Sequence, residues 1–285
     1  MPNTLPALST DIEAWIGKEE TSVDGIDLRT AQALAATLDV DPESVQPGTE
    51  LPPLWHWVYF TPRTRQSQLG PDGHARRGNF LPQVDLPNRM WAGSRIDFLQ
   101  PIHIDEQLTR LSRVARCERK TGRHGELIFV TVAHIISGPH GVAIRDEHDI
   151  VYRHPTPRDG ALAGEAPQHA AEFRRTVLPD PVLLFRYSAL TFNGHRIHYD
   201  HPYVTQVEGY PDLVVHGPLT ATLLLEAFRD AHPQRQVTRF AFRAVGPLFA
   251  NTAFDLCGRC TAPGTAKLWT DCAGRCTMKA DVEFR

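Results

Sequence analysis

The sequence predicts an α+β protein made of two similar halves, each a strongly curved antiparallel sheet wrapped around a central helix. Three observations lead there. First, Ile96-Asp97-Phe98-Leu99-Gln100-Pro101-Ile102-His103-Ile104-Asp105 aligns with Phe242-Arg243-Ala244-Val245-Gly246-Pro247-Leu248-Phe249-Ala250-Asn251. Second, each copy is followed by two β-rich runs and a similar closing word, Asp149-Ile150-Val151-Tyr152-Arg153 in one case and Asp281-Val282-Glu283-Phe284-Arg285 in the other. Self-similarity of this kind marks a duplicated unit. Third, Pro218 to Arg229 is so apolar that a helix formed there must be buried nearly all round. A buried helix followed by a meander of strands fits a sheet folded over that helix.

Taken in order, Leu28 to Leu38 is rich in Ala and Leu and stops before Asp41-Pro42, which suits a helix. Leu54 to Phe60 is short and aromatic and reads as the first half's core helix. Ile96 to Asp105 reads as a strand, a Pro-marked bend and a short edge segment, and Leu108 to Cys117 and Glu126 to Ser137 read as further strands. His154 to Glu172, rich in Pro, Ala and Gly, is a linker that divides the chain into residues 1–160 and 161–285. In the second half, strands over Ala253 to Cys260 and Lys267 to Cys272 flank the turn Ala262-Pro263-Gly264-Thr265.

The 285 residues include 30 Lys+Arg and 33 Asp+Glu, a net charge of -3, so no basic field exists to attract a phosphate backbone and nucleic acid is not expected as a partner. Hydrophobic residues at 41% and charged ones at 22% are ordinary for a globular chain. The longest apolar run, Leu127 to Ile136, falls short of the roughly 20 residues that span a bilayer and contains His134. Met1 to Trp15 carries Asp11 and Glu13 and lacks the basic start and apolar stretch of a secretory leader. A cytoplasmic protein with no membrane contact is expected. The five cysteines suggest no disulfide scaffold. Cys257, Cys260, Cys272 and Cys276 fall in runs assigned to paired strands, where Cys257 and Cys260 point to opposite faces, so no zinc site is expected.

The chemistry is concentrated in Tyr187-Ser188-Ala189-Leu190-Thr191-Phe192-Asn193-Gly194-His195-Arg196-Ile197-His198, with His216-Gly217-Pro218 opening the buried helix further on. Unpaired N–H groups at such a helix start can hold a developing oxyanion. Gly217 permits close approach of a carbonyl, Pro218 suits the first helical turn, and an imidazole nearby can gain or lose a proton near neutral pH.

The segment resembles the motif of the MaoC-like hydratases, the type 2 enoyl-thioester hydratases of the hot-dog fold. Tyr187, Leu190, Thr191, Ile197 and His198 fall on motif positions, and His216-Gly217 falls on the family's later His-Gly pair. Together with Leu51-Pro52-Pro53-Leu54-Trp55-His56-Trp57 and Arg89-Met90-Trp91-Ala92-Gly93, the chain is similar to the double hot-dog branch that includes mesaconyl-C4-CoA and itaconyl-CoA hydratases. The resemblance implies a double hot-dog fold and reversible addition of water to an α,β-unsaturated acyl-CoA, with a short branched dicarboxylyl group leading to citramalyl-CoA. It implies no cofactor and no metal. A homodimer and a monomer are both compatible with it.

Carried over residue by residue, the resemblance makes His198 the general acid/base and the Gly217 amide the donor to the thioester carbonyl. The family's Asp position holds Asn193, its Asn position His195 and its Pro position Arg196. Asn193 could orient the water while His198 moves protons, or Asp200 or His195 could take the missing carboxylate's role. Arg196 or Arg89 is expected to hold the substrate's free carboxylate. Tyr187, Trp57 and His216 are expected to line the substrate site, with the first half contributing the pocket and a degenerate copy of the site. The alternatives are a fatty-acid-type 3-hydroxyacyl-thioester dehydratase, a hot-dog thioesterase and a non-catalytic acyl-thioester-binding module.

Overall fold

The computed structural model describes residues 11–122, 125–154 and 164–285. The expected boundary at 160/161 and most of the stretch compared with a leader lie outside the described residues. In chain order the elements are β1 (Glu19–Gly25), α1 (Leu28–Thr37), β2 (Asn88–Phe98), β3 (Gln107–Gly122), β4 (Gly125–Gly138) and β5 (Gly141–Arg153). They continue with β6 (Phe173–Val177), α2 (Pro181–Leu190), α3 (His201–Gln206), α4 (Gly217–Ala231), β7 (Val237–Ala244), β8 (Phe254–Ala262), β9 (Thr265–Cys272) and β10 (Arg275–Phe284).

The strands form one antiparallel sheet of ten in the order β1-β3-β4-β5-β2-β7-β10-β9-β8-β6. Outward from the β2·β7 seam, both sides run through corresponding strands, which is the duplication seen in the sequence. The seam pairs Gly93–Asp97 with Arg239–Arg243. The sequence repeat aligns Arg95 with Ala241, and these two residues face each other at the middle of that ladder. A pseudo-two-fold axis through the seam requires this coincidence. Arg95 also ties the seam to β5, with Nε 2.8 Å from Glu147 and Nη1 2.5 Å from Asp149.

After each seam strand the Pro-marked bend leads to an edge segment, as expected. Leu51 N donates to Ile102 O at 2.7 Å and Val215 N donates to Leu248 O at 2.8 Å, and the repeat aligns Ile102 with Leu248. The isolated bridges Glu50↔His103 and Val214↔Phe249 are likewise equivalent. Leu51 therefore corresponds to Val215, and Pro53 to Gly217.

From that point the halves differ. In the second half the chain enters α4, which buries Leu219, Leu224, Leu225 and Phe228 against β6, β8 and β9. In the first half the expected core helix over 54–60 does not form, and Trp55–Val58 makes a single 3-10 turn. Leu54 (φ 72°) and Phe60 (φ 54°) bracket it with left-handed backbone, and Pro62 disfavours helical backbone at Thr61. The first half's inner face has no counterpart of α4, and beside the buried Ile96, Ile136 and Ile144 it carries polar pairs: Ser94 opposite His148, and His134 opposite both Asp146 and Ser112. The 3-10 turn covers them, with Trp57 Nε1 donating to Asp146 Oδ2 at 2.8 Å and His56 Nε2 lying 3.4 Å from the same oxygen.

Gly93 lets the halves meet, since a Cβ there would lie 2.3 Å from the Phe242 carbonyl oxygen. Gly93→Ala should force the seam apart and cost about 1–3 kcal/mol, read as a lower denaturation midpoint. A wild-type midpoint would contradict the seam's tightness.

Candidate active site

Asp180 caps α2 by accepting from Leu183 N at 2.7 Å, and the chain reverses after the helix at Phe192 (φ 48°). Asn193 then shapes the loop: its N–H donates to Ser188 O at 2.8 Å and its Oδ1 accepts from His195 N at 3.0 Å. A 3-10 turn over Arg196–His198 delivers the His198 ring into the interior. Its Nδ1 lies 2.7 Å from the Val214 carbonyl oxygen. A carbonyl only accepts, so Nδ1 carries the proton and Nε2 keeps a lone pair. Burial lowers the ring's pKa to about 4, against the pull of the Val214 hydrogen bond, so the imidazole is neutral at pH 7.

His216, the residue before α4, stacks on His198 with centroids 3.6 Å apart and planes at 18°. Its Nε2 is 2.8 Å from Ser188 Oγ, and its buried Nδ1 finds no partner among the described residues. Tyr187 is fully buried behind it, ring to ring at 5.1 Å. Gly217 opens α4, so its N–H belongs to the first turn, where no intrahelical acceptor exists and the helix dipole is positive. A Cβ built at Gly217 would lie 3.8 Å from the Trp91 carbonyl oxygen, an ordinary van der Waals contact across the seam strand. His198 thus stacks on the residue next to Gly217, at the start of α4.

The first half supplies the other wall. Arg196 N donates to Asp72 O at 2.9 Å and Arg196 Nη1 donates to Pro71 O at 3.1 Å. Gly73 (φ 89°) abuts Gly194 so closely that a Cβ would sit 1.8 Å from the Gly194 carbonyl oxygen. This clamp brings the His74 ring to 4.0 Å from His195, which meets His198 edge-on at 5.4 Å. His74 Nδ1 is 3.0 Å from Asp72 Oδ2. Burial, then the charge of Arg89, holds His74 near pKa 4 despite Asp72. Burial, then the neighbouring His74, keeps His195 far below the ordinary imidazole range. Burial raises the Asp72 carboxyl, but the hydrogen bond and charge of His74 outweigh this and leave it well below the usual carboxylate range.

The family profile described as hydroxyacyl-thioester dehydratase type 2 matches residues 54–250. The chain is 48% identical to mesaconyl-C4-CoA hydratase of Chloroflexus aurantiacus, over 88% of this chain and 90% of that protein. The chain belongs to the type 2 hydroxyacyl-thioester dehydratase family. A second member, the mitochondrial hydroxyacyl-thioester dehydratase type 2 of Schizosaccharomyces pombe, is 28% identical over 82% of this chain and 83% of its own length. Among solved structures, a MaoC-like dehydratase superposes with a TM-score of 0.74 at 15% identity, covering 96% of this chain and 99% of that one, in accord with the double hot-dog fold.

In this dehydratase-family chain the structure brings His198, His216, Gly217 and the Asn193 loop together, with Tyr187 behind them. Trp57 packs against Trp91, ring to ring at 5.0 Å, and no contact joins it to His198 among the described residues. The Arg196 guanidinium is bound to Asp200 through Nε at 2.9 Å and Nη2 at 2.7 Å, and lies over the Tyr203 ring. Arg89 makes no ion pair among the described residues, and its charge reaches His74 and Tyr152. Sequence reasoning misses Asp72, His74, Ser188 and the Val214 carbonyl. Asp72, His74 and His195 are also the one group among the described residues whose donor atoms, all within 4.8 Å of one another, could hold a metal ion. A cavity of about 960 Å³ lies at the opposite end of α4, lined by Pro53, Trp55, His56, Arg229 and Val237. There Pro53 occupies the place of Gly217 and has no N–H to offer.

The buried imidazoles set an acid limit on stability. Unfolded histidines bind protons near pH 6.5, whereas His198 and His74 resist until about 4. The unfolded state therefore binds more protons between these values, and stability present above about 6.5 is lost as pH falls towards 4. Melting temperature measured across this range should drop, and the drop should shrink in His198→Gln; an identical profile in the variant would contradict the assignment.

Proposed function

We propose that the protein is a hydratase that reversibly adds water across the double bond of an α,β-unsaturated acyl-CoA, with a short branched dicarboxylyl group of the mesaconyl-C4 kind as the acyl part. The observation that carries this reading is the His198 ring, held by Val214 O through Nδ1 and stacked on His216, the residue before Gly217, whose N–H opens α4. In the reaction, the thioester oxygen accepts from Gly217 N–H, which draws electrons from the double bond and stabilises the enolate. His198 Nε2 takes a proton from water as the water oxygen bonds to the β-carbon, then returns that proton to the α-carbon. Asn193 shapes the loop that carries His198, His216 supports its ring, Tyr187 backs His216, and Trp57 with Trp91 walls the acyl pocket.

The similarity to mesaconyl-C4-CoA hydratase, 48% identity against 28% for the mitochondrial dehydratase of Schizosaccharomyces pombe, supports this reading over the fatty-acid-type dehydratase. Because Arg196 is committed to Asp200, Arg89 is the candidate receptor for the acyl group's free carboxylate. The cavity at the far end of α4 is the first half's counterpart of the site, without a donor amide. Five free cysteines fit a reducing, cytoplasmic setting.

A mass-spectrometric assay over a panel of enoyl-CoA thioesters should find gain of one water, fastest on mesaconyl-C4-CoA; no gain on any of them would overturn the reading. His198→Gln should lower kcat by about 10²–10⁴-fold. Arg89→Ala should impair mesaconyl-C4-CoA much more than crotonyl-CoA. Arg196→Ala, which loosens the clamp between the halves, should impair both equally. Selective loss in Arg196→Ala would instead make Arg196 the carboxylate receptor.

A further inference from the structure

The second half's loop lacks a carboxylate where the resemblance places one, and the structure leaves neither Asn193 nor Asp200 free to replace it. Asn193 Oδ1 is bound to the His195 amide, and Asp200 accepts from Arg196 and from Tyr203 N. What stands against the loop's His195, which is itself in ring contact with His198, comes from the other half. His74 is carried in by a clamp that tolerates no side chain at position 73, and its Nδ1 is paired with Asp72. With an ionised carboxylate on Nδ1, that nitrogen carries the proton and Nε2 has a free lone pair, as His198 Nε2 does. His195 is in ring contact with both, its centroid 4.0 Å from that of His74 and 5.4 Å from that of His198.

We propose that His74, oriented by Asp72, is the second acceptor for the water that is added, so that the active site is completed by the first half. The inference rests on the hydratase reading. One O–H of the water points to His198 Nε2 and the other to His74 Nε2. As the C–O bond to the β-carbon forms, the first O–H breaks and its proton passes through His198 to the α-carbon. The second O–H stays intact, held by His74, and becomes the hydroxyl of the product. The electron pair of the double bond rests on the thioester oxygen at Gly217 before the α-carbon takes its proton. His74 is thus a catalytic residue that touches the water, and Asp72 is a positioning residue that acts through it.

The test uses the full-length enzyme and mesaconyl-C4-CoA. His74→Ala should lower kcat about 100-fold, the scale of misplacing a reactant, with little change in KM. Added imidazole should restore part of the lost rate, and His74→Gln, whose carbonyl can still accept an O–H, should retain more activity than Ala. Asp72→Asn should reduce kcat without raising KM. Unchanged kcat in His74→Ala, or a loss that neither imidazole nor Gln relieves, would overturn the proposal while leaving the hydratase reading in place. A wild-type enzyme that loses activity to a chelator and regains it with Zn²⁺ would overturn it in favour of a metal on Asp72, His74 and His195. Wild-type protein inert towards every enoyl-CoA would remove the hydratase reading itself.

Discussion

The hydrogen bond from His198 Nδ1 to the Val214 carbonyl ties the site to the fold. Val214 belongs to the bridge with Phe249 that precedes α4, so the backbone that starts the helix also sets the tautomer of His198. The stacked His216 joins the two, being in ring contact with His198 and covalently next to Gly217. On the proposed mechanism, the lone pair that moves the proton and the N–H that stabilises charge are thereby held by one short piece of chain, an arrangement that needs little reorganisation when substrate arrives.

Duplication explains the frame, and divergence explains the chemistry. Both halves deliver the chain through the same bridge after the same Pro-marked bend. One continues into an apolar helix and the other into a single 3-10 turn. The half without the helix keeps Ser94, His134, Asp146 and His148 facing inward, and it has a proline where the other has Gly217. Burial raises the carboxyl of Asp146, but the charge of His148 and the hydrogen bonds from His148 and His56 outweigh this, so it stays ionised inside the protein. Its charge is balanced inside the protein by hydrogen bonds from Trp57, His56 and His148.

Much of the fold is legible in the sequence because its signals are local. The repeat aligns the seam strands so well that Arg95 and Ala241 meet at the axis, and the apolar run after Gly217 identifies α4. The aromatic segment at 54–60 misleads because periodicity carries no information about the left-handed backbone at Leu54 and Phe60. In the site, His198 and Gly217 are visible from the motif, and the ion pair of Arg196 with Asp200 has the four-residue spacing that favours such pairs. Asp72 and His74 are invisible. Their proximity to His195 depends on the halves docking, and only the Gly73–Gly194 contact reveals it.

The most direct test is a crystal structure with a saturated acyl-CoA that cannot take up water. The thioester oxygen should lie about 3 Å from Gly217 N, a normal N–H···O distance, with the β-carbon facing His198 Nε2. A thioester lodged instead in the cavity beside Pro53 and Trp55, at the other end of α4, would contradict the account.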